Sequence, residues 1–568
     1  MIQAIRIGNA SGFYGDRFSA MQEMLTGGDL DCLTGDYLAE LTMLILGRDR
    51  LKDPKTGYAK TFLRQLESSL GTAMDAGVTI VSNAGGVNPA GLAAAIGALA
   101  EKLGLAPKIA YVDGDDLGDR AADLGLGTPL TANAYLGGFG IAAALRSGAD
   151  IVVTGRVTDA SLTVGPAAAH FGWCPDDLDQ LAGAVAAGHI IECGTQATGG
   201  NYSFFTEIND MGHLGFPIAE ISASGDSVIT KHAGTGGAVT VGTVTAQLLY
   251  EVGGPRYLGP DVTTRLDSIT LTDLGDDRVR VSAVRGEAPP ETLKVSLNHL
   301  AGFRNEVTMV LTGLDIEAKA ELARGQFEAE LTTRPADLTW TLTRLDQKDA
   351  PTEQQASALL QCVAKDTDQK VVGRQFSSAA VELALASYPG FTMTAPPAAG
   401  SPYAVFEAGY VPAHEVSHTV HLADGTTQVI EPPSATGSVP SEPVAASHAT
   451  ISGTHWGPTR VAPLGEIAGA RSGDKGGNAN VGVWVRNREH FDWLAATLTT
   501  NLFTQLIPEA EALEVHRHEL PNLLALNFVI DGILGRGVAD NVRFDPQAKG
   551  LGEWLRSRHV PIPIRFGG

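Results

Sequence analysis

Two charged residues in a glycine-containing loop are the strongest candidates for chemistry in this chain. Arg156 and Asp159 come directly after the apolar run 151–153. An arginine guanidinium can hold a carboxylate or a phosphate through two hydrogen bonds, and the aspartate can orient that arginine or move a proton. Asp159 could instead cap a helix while Arg156 closes a structural ion pair, and the sequence leaves both interpretations open.

Two earlier loops combine glycines with polar side chains. Loop 8–16 offers Asn9 and Ser11, which could contact a ligand or simply begin a helix. Loop 83–89 ends in an asparagine followed by a proline, the pattern of a capped helix start, and its glycines could bring backbone N–H groups to an anion. Neither loop has the spacing of a P-loop or of a dinucleotide fingerprint, so neither ATP nor NAD follows.

Other segments add ionisable groups. Lys231 stands at the end of a β-branched run and could neutralise an anion or, if desolvated, exchange a proton. Glu192 could be a general acid or base, or the partner of an arginine. Asp36 could cap a helix or face a pocket. Near the C-terminus, residues 470–478 form a loop between two predicted strands and hold more charge than a tight turn needs.

These considerations give one set of candidate residues and no metal site. The candidates for catalysis are Asp159, Lys231 and Glu192. The candidates for substrate binding are Arg156, Asn9, Ser11, Asp36, Asn83, Gly85, Gly86, Asn88, Asn201, Arg471, Asp474 and Lys475.

The elements around these loops predict an α/β fold followed by a smaller α+β domain. From residue 1 to about 260, short β-branched runs alternate with Ala- and Leu-rich stretches. This pattern favours a largely parallel sheet, with the loops that carry the candidate residues at one edge. Residues 261–430 are more α+β in texture, with a helix predicted over 351–364. Residues 431–457, rich in Pro and Ser, predict a linker.

The last hundred residues predict strand, strand, helix, strand, strand, helix, with the first two strands near 463–468 and 479–486. This order is similar to a ferredoxin-like α+β sandwich. The sequence therefore predicts three segments: an α/β region over 1–430, a linker over 431–457 and a C-terminal domain over 458–568.

Composition narrows the classes of partner. The 568 residues carry a formal net charge of -23, which opposes binding to nucleic acid and to anionic membrane surfaces. The four cysteines form no CxxC pair, and neither a signal peptide nor an apolar run of membrane-spanning length is evident. We expect a globular cytoplasmic protein.

Several motifs together resemble one family, the acyclic terpene utilisation (AtuA) family. They are the segments 6–16, 34–40, 82–89, 154–160 and 471–478. The C-terminal part resembles the ferredoxin-fold domain associated with that family, which is a separate chain in some relatives. The resemblance implies a role in the breakdown of acyclic terpenoids or related branched acids, a route that passes through CoA thioesters. It assigns no role to individual residues.

The sequence is compatible with two functions. The first is an enzyme, a hydro-lyase, hydrolase or carbon–carbon lyase, that acts on an acyl-CoA or a branched acid by acid–base chemistry. It would need no cofactor beyond CoA as part of the substrate. The second is a non-catalytic acyl-CoA-binding protein or an assembly factor for an acyl-CoA carboxylase. A homo-oligomer is compatible with either. Ionisable side chains follow several of the predicted strands, and this favours the enzyme over the binding protein.

Overall fold

The computed structural model describes residues 3–437 and 456–567. The predicted linker over 431–457 lies mostly outside these residues. The chain forms two compact units. The first consists of the described residues of Met1–Asn298, Phe406–Val538 and Asp545–Gly568, and the second of His299–Val405 and Ala539–Phe544.

The first 260 residues alternate strands with helices. The strands are β1 (Ile5–Asn9), β2 (Cys32–Gly35), β3 (Thr79–Ser82), β4 (Ile109–Asp113), β5 (Thr131–Ala134), β6 (Ile151–Thr154), β7 (Pro217–Ile221), β8 (Ser227–Lys231) and β9 (Arg256–Leu258). The helices are α1 (Ala20–Thr26), α2 (Glu40–Lys52), α3 (Lys60–Ala76), α4 (Pro89–Leu103), α5 (Phe139–Arg146), α6 (Ser161–Phe171), α7 (Leu178–Ile191) and α8 (Val241–Leu248).

The middle of the chain is richer in strands. They are β10 (Thr263–Arg265), β11 (Thr270–Gly275), β12 (Arg278–Ser282), β13 (Arg285–Glu287), β14 (Thr292–Thr312), β15 (Asp337–Thr343), β16 (Ser357–Asp366), β17 (Thr392–Met393), β18 (Ser401–Pro412), β19 (Thr419–His421) and β20 (Thr427–Val429). The helices here are α9 (Ile316–Glu330), α10 (Gln369–Val372) and α11 (Arg374–Glu382).

A mixed sheet in the first unit positions the loops of interest. Its order is β11-β12-β8-β7-β1-β2-β3-β6-β4-β19-β20. Strands β1, β2, β3, β6 and β4 are parallel, whereas β7 runs antiparallel to both of its neighbours, β1 and β8. Strand β8 therefore points the same way as β1. The loops that follow β1, β3, β6 and β8 consequently leave from one edge of the sheet, as the sequence predicts.

Burial explains why the central strands read as continuous apolar runs. All four residues of β2 and all four of β6 are buried, because helices cover both faces of the sheet. The largest apolar cluster includes Ile7, Val81, Val112 and Val152 on these strands. The parallel-rich α/β fold predicted for this region is confirmed.

One helix predicted in the second unit is a strand in the structure. Residues 351–364 were expected to be helical, but most of them belong to β16, which pairs antiparallel with β14 on one side and with β15 on the other. Leu360, Cys362 and Ala364 are fully buried in a core that includes residues of α9 and α11. Pairing on both edges and burial of the alternate side chains override the helix preference of this Ala- and Leu-rich segment.

The C-terminal domain is a small α+β sandwich. Its strands are β21 (Thr459–Pro463), β22 (Ala468–Lys475), β23 (Asn478–Val485), β24 (Val515–Leu520), β25 (Ala525–Ile530) and β26 (His559–Pro563), and its helices are α12 (Arg488–Thr497), α13 (Thr500–Leu506) and α14 (Leu551–Ser557). Four of the strands form an antiparallel sheet in the order β22-β23-β25-β24. Within the described residues, no helix combines the length and the apolar character needed to cross a membrane.

The structure also corrects the predicted loop over 470–478. Residues 468–475 form β22, and the turn to β23 is only Gly476-Gly477, with Gly476 at a φ of +67°. The prediction failed because Arg471 and Ser472 are buried polar side chains, which hide the apolar pattern of a strand. Arg471, Asp474 and Lys475 therefore stand on a strand rather than on a loop.

Candidate functional site

Ionisable side chains of the first unit gather into one group, here called the charged cluster. Each member interacts electrostatically with at least one other, and many are strongly desolvated. The members are Asp36, Glu40, Arg156, Asp159, His189, Glu192, Glu251, Lys294, Arg471, Asp474, Lys475 and Lys549. Asp159, Glu40 and Lys294 keep 28%, 29% and 32% of their side-chain surface exposed, which leaves the cluster accessible to water.

Arg156 is held firmly at the end of β6. Its backbone N–H donates to Asp115 Oδ2 at 2.9 Å, and Nη1 donates to Asp159 Oδ1 at 2.6 Å. The guanidinium lies 4.3 Å from the centroid of the Tyr135 ring. The residue is only 3% exposed, and its Nε has no hydrogen-bond partner among the described residues. One N–H of a fixed, buried guanidinium is thus left unpaired.

Asp36 faces the same group instead of capping a helix. Its Oδ1 accepts hydrogen bonds from Asn83 Nδ2 at 2.5 Å and from the backbone N–H of Leu38 at 3.1 Å, and α2 begins only at Glu40. Burial, followed by the nearby charge of Asp159, raises the pKa of Asp36 well above its usual range. Asn83 therefore acts on this site through Asp36.

Asn9 fixes the backbone beside Glu192. Asn9 Nδ2 donates to the carbonyl oxygens of Ile191 and Glu192 at 2.7 and 2.9 Å, which ties the end of β1 to the end of α7. The hydroxyl of the neighbouring Ser11 donates a hydrogen bond to the carbonyl oxygen of Phe13 at 3.0 Å. Asn9 is thus a positioning residue for Glu192, and Ser11 stabilises its own loop.

Glu192 has a paired and an unpaired oxygen. Its Oε1 lies 3.0 Å from His189 Nδ1, whereas Oε2 is buried without a hydrogen-bond partner in the described chain. Burial raises the pKa of Glu192 well above its usual range, and the charge of Asp159 acts in the same direction. Burial also lowers the pKa of His189 to about 4. The two shifts favour the protonated form of Glu192 and the uncharged form of His189.

The C-terminal domain supplies the other charged groups. Arg471 Nη2 donates to Gln196 Oε1, and its guanidinium lies 4.2 Å from the centroid of the Tyr250 ring. Lys475 Nζ donates to the carbonyl oxygen of Glu251 at 3.0 Å. Burial raises the pKa of Asp474 to about 7. The C-terminal domain therefore contributes side chains to the same cluster as the end of β6.

Glu251 is held by two buried asparagines of that domain. Its backbone N–H donates to Asn480 Oδ1 at 2.8 Å, and Asn480 Nδ2 donates to the carbonyl of Leu249 at 2.6 Å. Asn527 Nδ2 donates to the carbonyl of Val252 at 3.0 Å. Glu251 has a φ of +57°, an unusual conformation for a residue with a side chain. Together, the two asparagines form a clamp on residues 249–252 that fixes this conformation.

The glycines of loop 83–89 pack against protein rather than open to a ligand. A Cβ on Gly85 would lie 2.4 Å from Thr154 O, and one on Gly86 would lie 2.4 Å from Leu46 Cδ1. The N–H groups of residues 84, 86, 87 and 88 donate within the protein. Asn88 caps α4 by accepting from the N–H of Gly91 at 2.9 Å. The arrangement gives this loop a structural role.

Two other candidates are not brought into the charged cluster. Lys231 leaves from the same sheet edge, but its Nζ donates to Thr235 O at 2.6 Å and pairs with Asp277 Oδ2 at 3.0 Å. Asn201 is exposed in a turn with a φ of +56°. The contacts described for Lys231 and Asn201 include neither Arg156 nor Glu192.

Comparison with known proteins decides the family. Residues 5–422 match the family described as acyclic terpene utilisation family protein AtuA. The chain belongs to the AtuA family. Residues 462–561 match the AtuA ferredoxin-like domain, so both parts of the resemblance are confirmed. Neither the curated proteins nor the solved structures gave a significant match. AtuA family membership implies a role in acyclic terpene utilisation.

Sequence reasoning missed five members of the cluster in this AtuA family chain. They are Glu40, His189, Glu251, Lys294 and Lys549. His189 and Glu192 stand three residues apart on one helical turn, a spacing that could have been recognised. Lys294 on β14 and Lys549 before α14 join the cluster only through tertiary contacts. Lys294 Nζ, for example, lies 4.9 Å from the centroid of the Tyr135 ring that also supports Arg156.

One group outside the charged cluster has a possible metal-ligand composition. Glu514, His516 and Asp531 of the C-terminal domain bring their ligand atoms within 4.8 Å of one another. His516 Nε2 lies 3.2 Å from Asp531 Oδ2 and 3.6 Å from Glu514 Oε1. An ion pair at the protein surface accounts for this arrangement.

Proposed function

We propose that the charged cluster is the active site of an enzyme of acyclic terpenoid or branched-acid breakdown. It would act on an acyl-CoA thioester or a branched acid by acid–base chemistry. No redox cofactor is needed, and CoA enters as part of the substrate. The single observation that carries the proposal is the unpaired Glu192 Oε2, which is buried next to the charged groups of the cluster.

Glu192 is suited to donate a proton. A carboxyl group whose pKa is raised by burial can hold a proton, transfer it to a substrate oxygen or carbon and then recover it from water or from the product. His189 Nδ1, at 3.0 Å from Oε1, keeps the carboxyl oriented through this cycle. Water addition or removal, hydrolysis and carbon–carbon cleavage can all use such a donor.

Arg156 is suited to hold the reacting group. Its guanidinium is fixed by Asp159 and by the Tyr135 ring, and its unpaired Nε is available to an acidic or carbonyl oxygen. A fixed cation that faces a developing negative charge stabilises that charge without reorganisation. Asp159, which stays water-accessible at 28% exposure, is the candidate base.

A thermal-shift screen against terpenoid acyl-CoAs and the corresponding free acids, followed by mass analysis of each ligand, tests the proposal. We expect a subset of branched acyl-CoAs to stabilise the protein and to be converted. Stabilisation by a ligand that is recovered unchanged would support the non-catalytic binding or assembly role instead. The exposed Glu207, at 54% exposure, provides a matched control: Glu207→Gln should retain turnover that Glu192→Gln loses.

A further inference from the structure

Two buried arginines of the charged cluster are built alike but differ in their partners. Arg156 and Arg471 are 3% and 5% exposed, each lies over a tyrosine ring, and each has an unpaired Nε. Arg156 is neutralised by Asp159 at 2.6 Å. Arg471 instead donates to the uncharged amide of Gln196. Over residues 3–437 and 456–567, no carboxylate oxygen lies within ion-pair distance of Arg471.

A buried cation without a counter-ion is costly. An isolated charge loses its hydration when it is buried, and arginine cannot avoid the cost by releasing its proton. Burial lowers the pKa of Arg471, in agreement with this desolvation. The surroundings of Arg471 are therefore incomplete without an anion.

The neighbouring carboxyl groups pair with Lys549 rather than with Arg471. Glu251 Oε1 and Asp474 Oδ1 lie 3.3 and 4.0 Å from Lys549 Nζ, and burial raises the pKa of Glu251 well above its usual range. Lys549 Nζ itself lies 4.5 Å from the centroid of the Tyr250 ring, the same ring that supports Arg471. Two cations thus share one aromatic ring, and of the two only Lys549 has a carboxylate within ion-pair distance among the described residues.

We propose that Arg471 and Lys549 form an oxyanion-binding site that anchors a carboxylate or phosphate of the ligand. This inference rests on the proposed function, because it gives the substrate a second anchoring point in addition to the reacting group at Arg156 and Glu192. The substrate class is then an acid or acyl thioester that carries a further anionic group. The C-terminal domain supplies the residues that recognise that group.

Anion binding by the full-length protein tests this without any need for turnover. Melting temperature is measured against increasing inorganic phosphate, coenzyme A, glutarate and chloride at matched ionic strength, for wild type, Arg471→Gln and Arg488→Gln. Arg488 is a 60% exposed arginine of the same domain and serves as the control. We expect saturable stabilisation of wild type and Arg488→Gln, and at least tenfold weaker binding by Arg471→Gln.

The probes separate the two sources of the anion. Saturation by phosphate or coenzyme A identifies a phosphate group, and saturation by glutarate alone identifies a carboxylate. Without ligand, Arg471→Gln should melt no lower than wild type, since an uncompensated charge has been removed. If that variant does not fold, Arg471→Lys keeps the charge, loses the planar fork and should still bind more weakly.

Equal binding by wild type and either folded Arg471 variant would overturn the proposal, as would a response to every probe that is no greater than that to chloride. Glu192→Gln should keep the anion response while losing turnover. Loss of turnover therefore tests the proposed function, and loss of saturable anion binding tests the Arg471 site.

Discussion

Arg156 Nη1 lies 2.6 Å from Asp159 Oδ1, and this pair links two residues that follow one buried strand. The aspartate holds one side of the guanidinium, and the Tyr135 ring supports its face. Nε has no partner within the described chain. An arginine fixed in this way can meet an incoming oxygen without rearrangement, which is the property that the first prediction tests.

Arg156→Lys keeps the charge but loses the planar fork and the stacking. We expect ligand affinity to fall about ten- to hundredfold, corresponding to about 1.5 to 3 kcal/mol for a charge-assisted contact. Asp159→Asn should also weaken binding, because the arginine loses the carboxylate that orients it. Melting temperature and ligand affinity are measured together. A purely structural ion pair would lower the melting temperature and leave affinity unchanged in both folded variants.

The packing of Gly85 predicts a stability effect without a binding effect. In Gly85→Ala, the new Cβ would lie 2.4 Å from Thr154 O, so the loop or the end of β6 must move. We expect a loss of about 1 to 3 kcal/mol in the free energy of unfolding. Gly71→Ala in α3 is the control, since the new Cβ would meet nothing within 4 Å beyond its chain neighbours and its own helix backbone, and it should be neutral or stabilising by up to about 1 kcal/mol. Equal stability of the two variants would contradict this account.

The clamp on residues 249–252 predicts that Asn480 supports both stability and the site. Asn480→Ala leaves the Glu251 N–H and the Leu249 carbonyl without their side-chain partner. We expect a loss of about 2 to 4 kcal/mol in chemical denaturation, since a buried unpaired group costs about 1 to 3 kcal/mol. Asn480→Asp keeps the acceptor for Glu251 but places a buried carboxylate oxygen against the Leu249 carbonyl, so it should be at least as destabilising. The surface residue Asn501 offers a control, and the clamp has no energetic role if Asn480→Ala is as stable as Asn501→Ala.

His418 predicts a loss of stability in acid. Its ring packs against Gly140, and burial lowers its pKa to about 4. The folded state therefore binds this proton more weakly than the unfolded state. The stability is complete above the unfolded pKa of about 6.5 and is lost as the pH falls through 4, by up to about 3 kcal/mol.

Unfolding free energies at pH 7.5, 6 and 5 measure the effect of His418. His418→Asn should flatten the dependence on pH, while the exposed His414→Asn should not. Part of the slope should remain in His418→Asn, because burial lowers the pKa of His189 in the same direction. An unchanged slope in His418→Asn would remove this residue from the explanation.

The sequence predicts the sheet better than the site. Runs such as Ile151–Thr154 are apolar because both faces of the sheet are covered, so strand, loop and edge can be inferred from local pattern. Arg156, Asp36 and Glu192 follow or end such elements and were predicted. The strand β22 was missed because Arg471 and Ser472 are buried polar residues, which a hydrophobic pattern cannot distinguish from a loop.

The remaining site residues depend on contacts distant in sequence. Lys231 has the right position on its strand, but Asp277 and Thr235 engage its ammonium, and nothing near Lys231 in the sequence indicates this. Glu251 joins the cluster through Asn480, which is 229 residues away along the chain. Local patterns place residues on a sheet edge, whereas only tertiary packing decides which of them meet.

The central claim is that Glu192 is the proton donor of an acid–base enzyme. The most direct test is to incubate terpenoid acyl-CoAs with the protein in D2O and to measure the mass of the recovered ligand by mass spectrometry. The account predicts that wild type and Glu207→Gln convert a branched acyl-CoA into a product that carries solvent deuterium. Glu192→Gln should bind the same ligand but react at least about a hundredfold more slowly, the usual size of a general-acid contribution. Recovery of an unchanged ligand from wild type at saturating concentration, or undiminished conversion by Glu192→Gln, would contradict it.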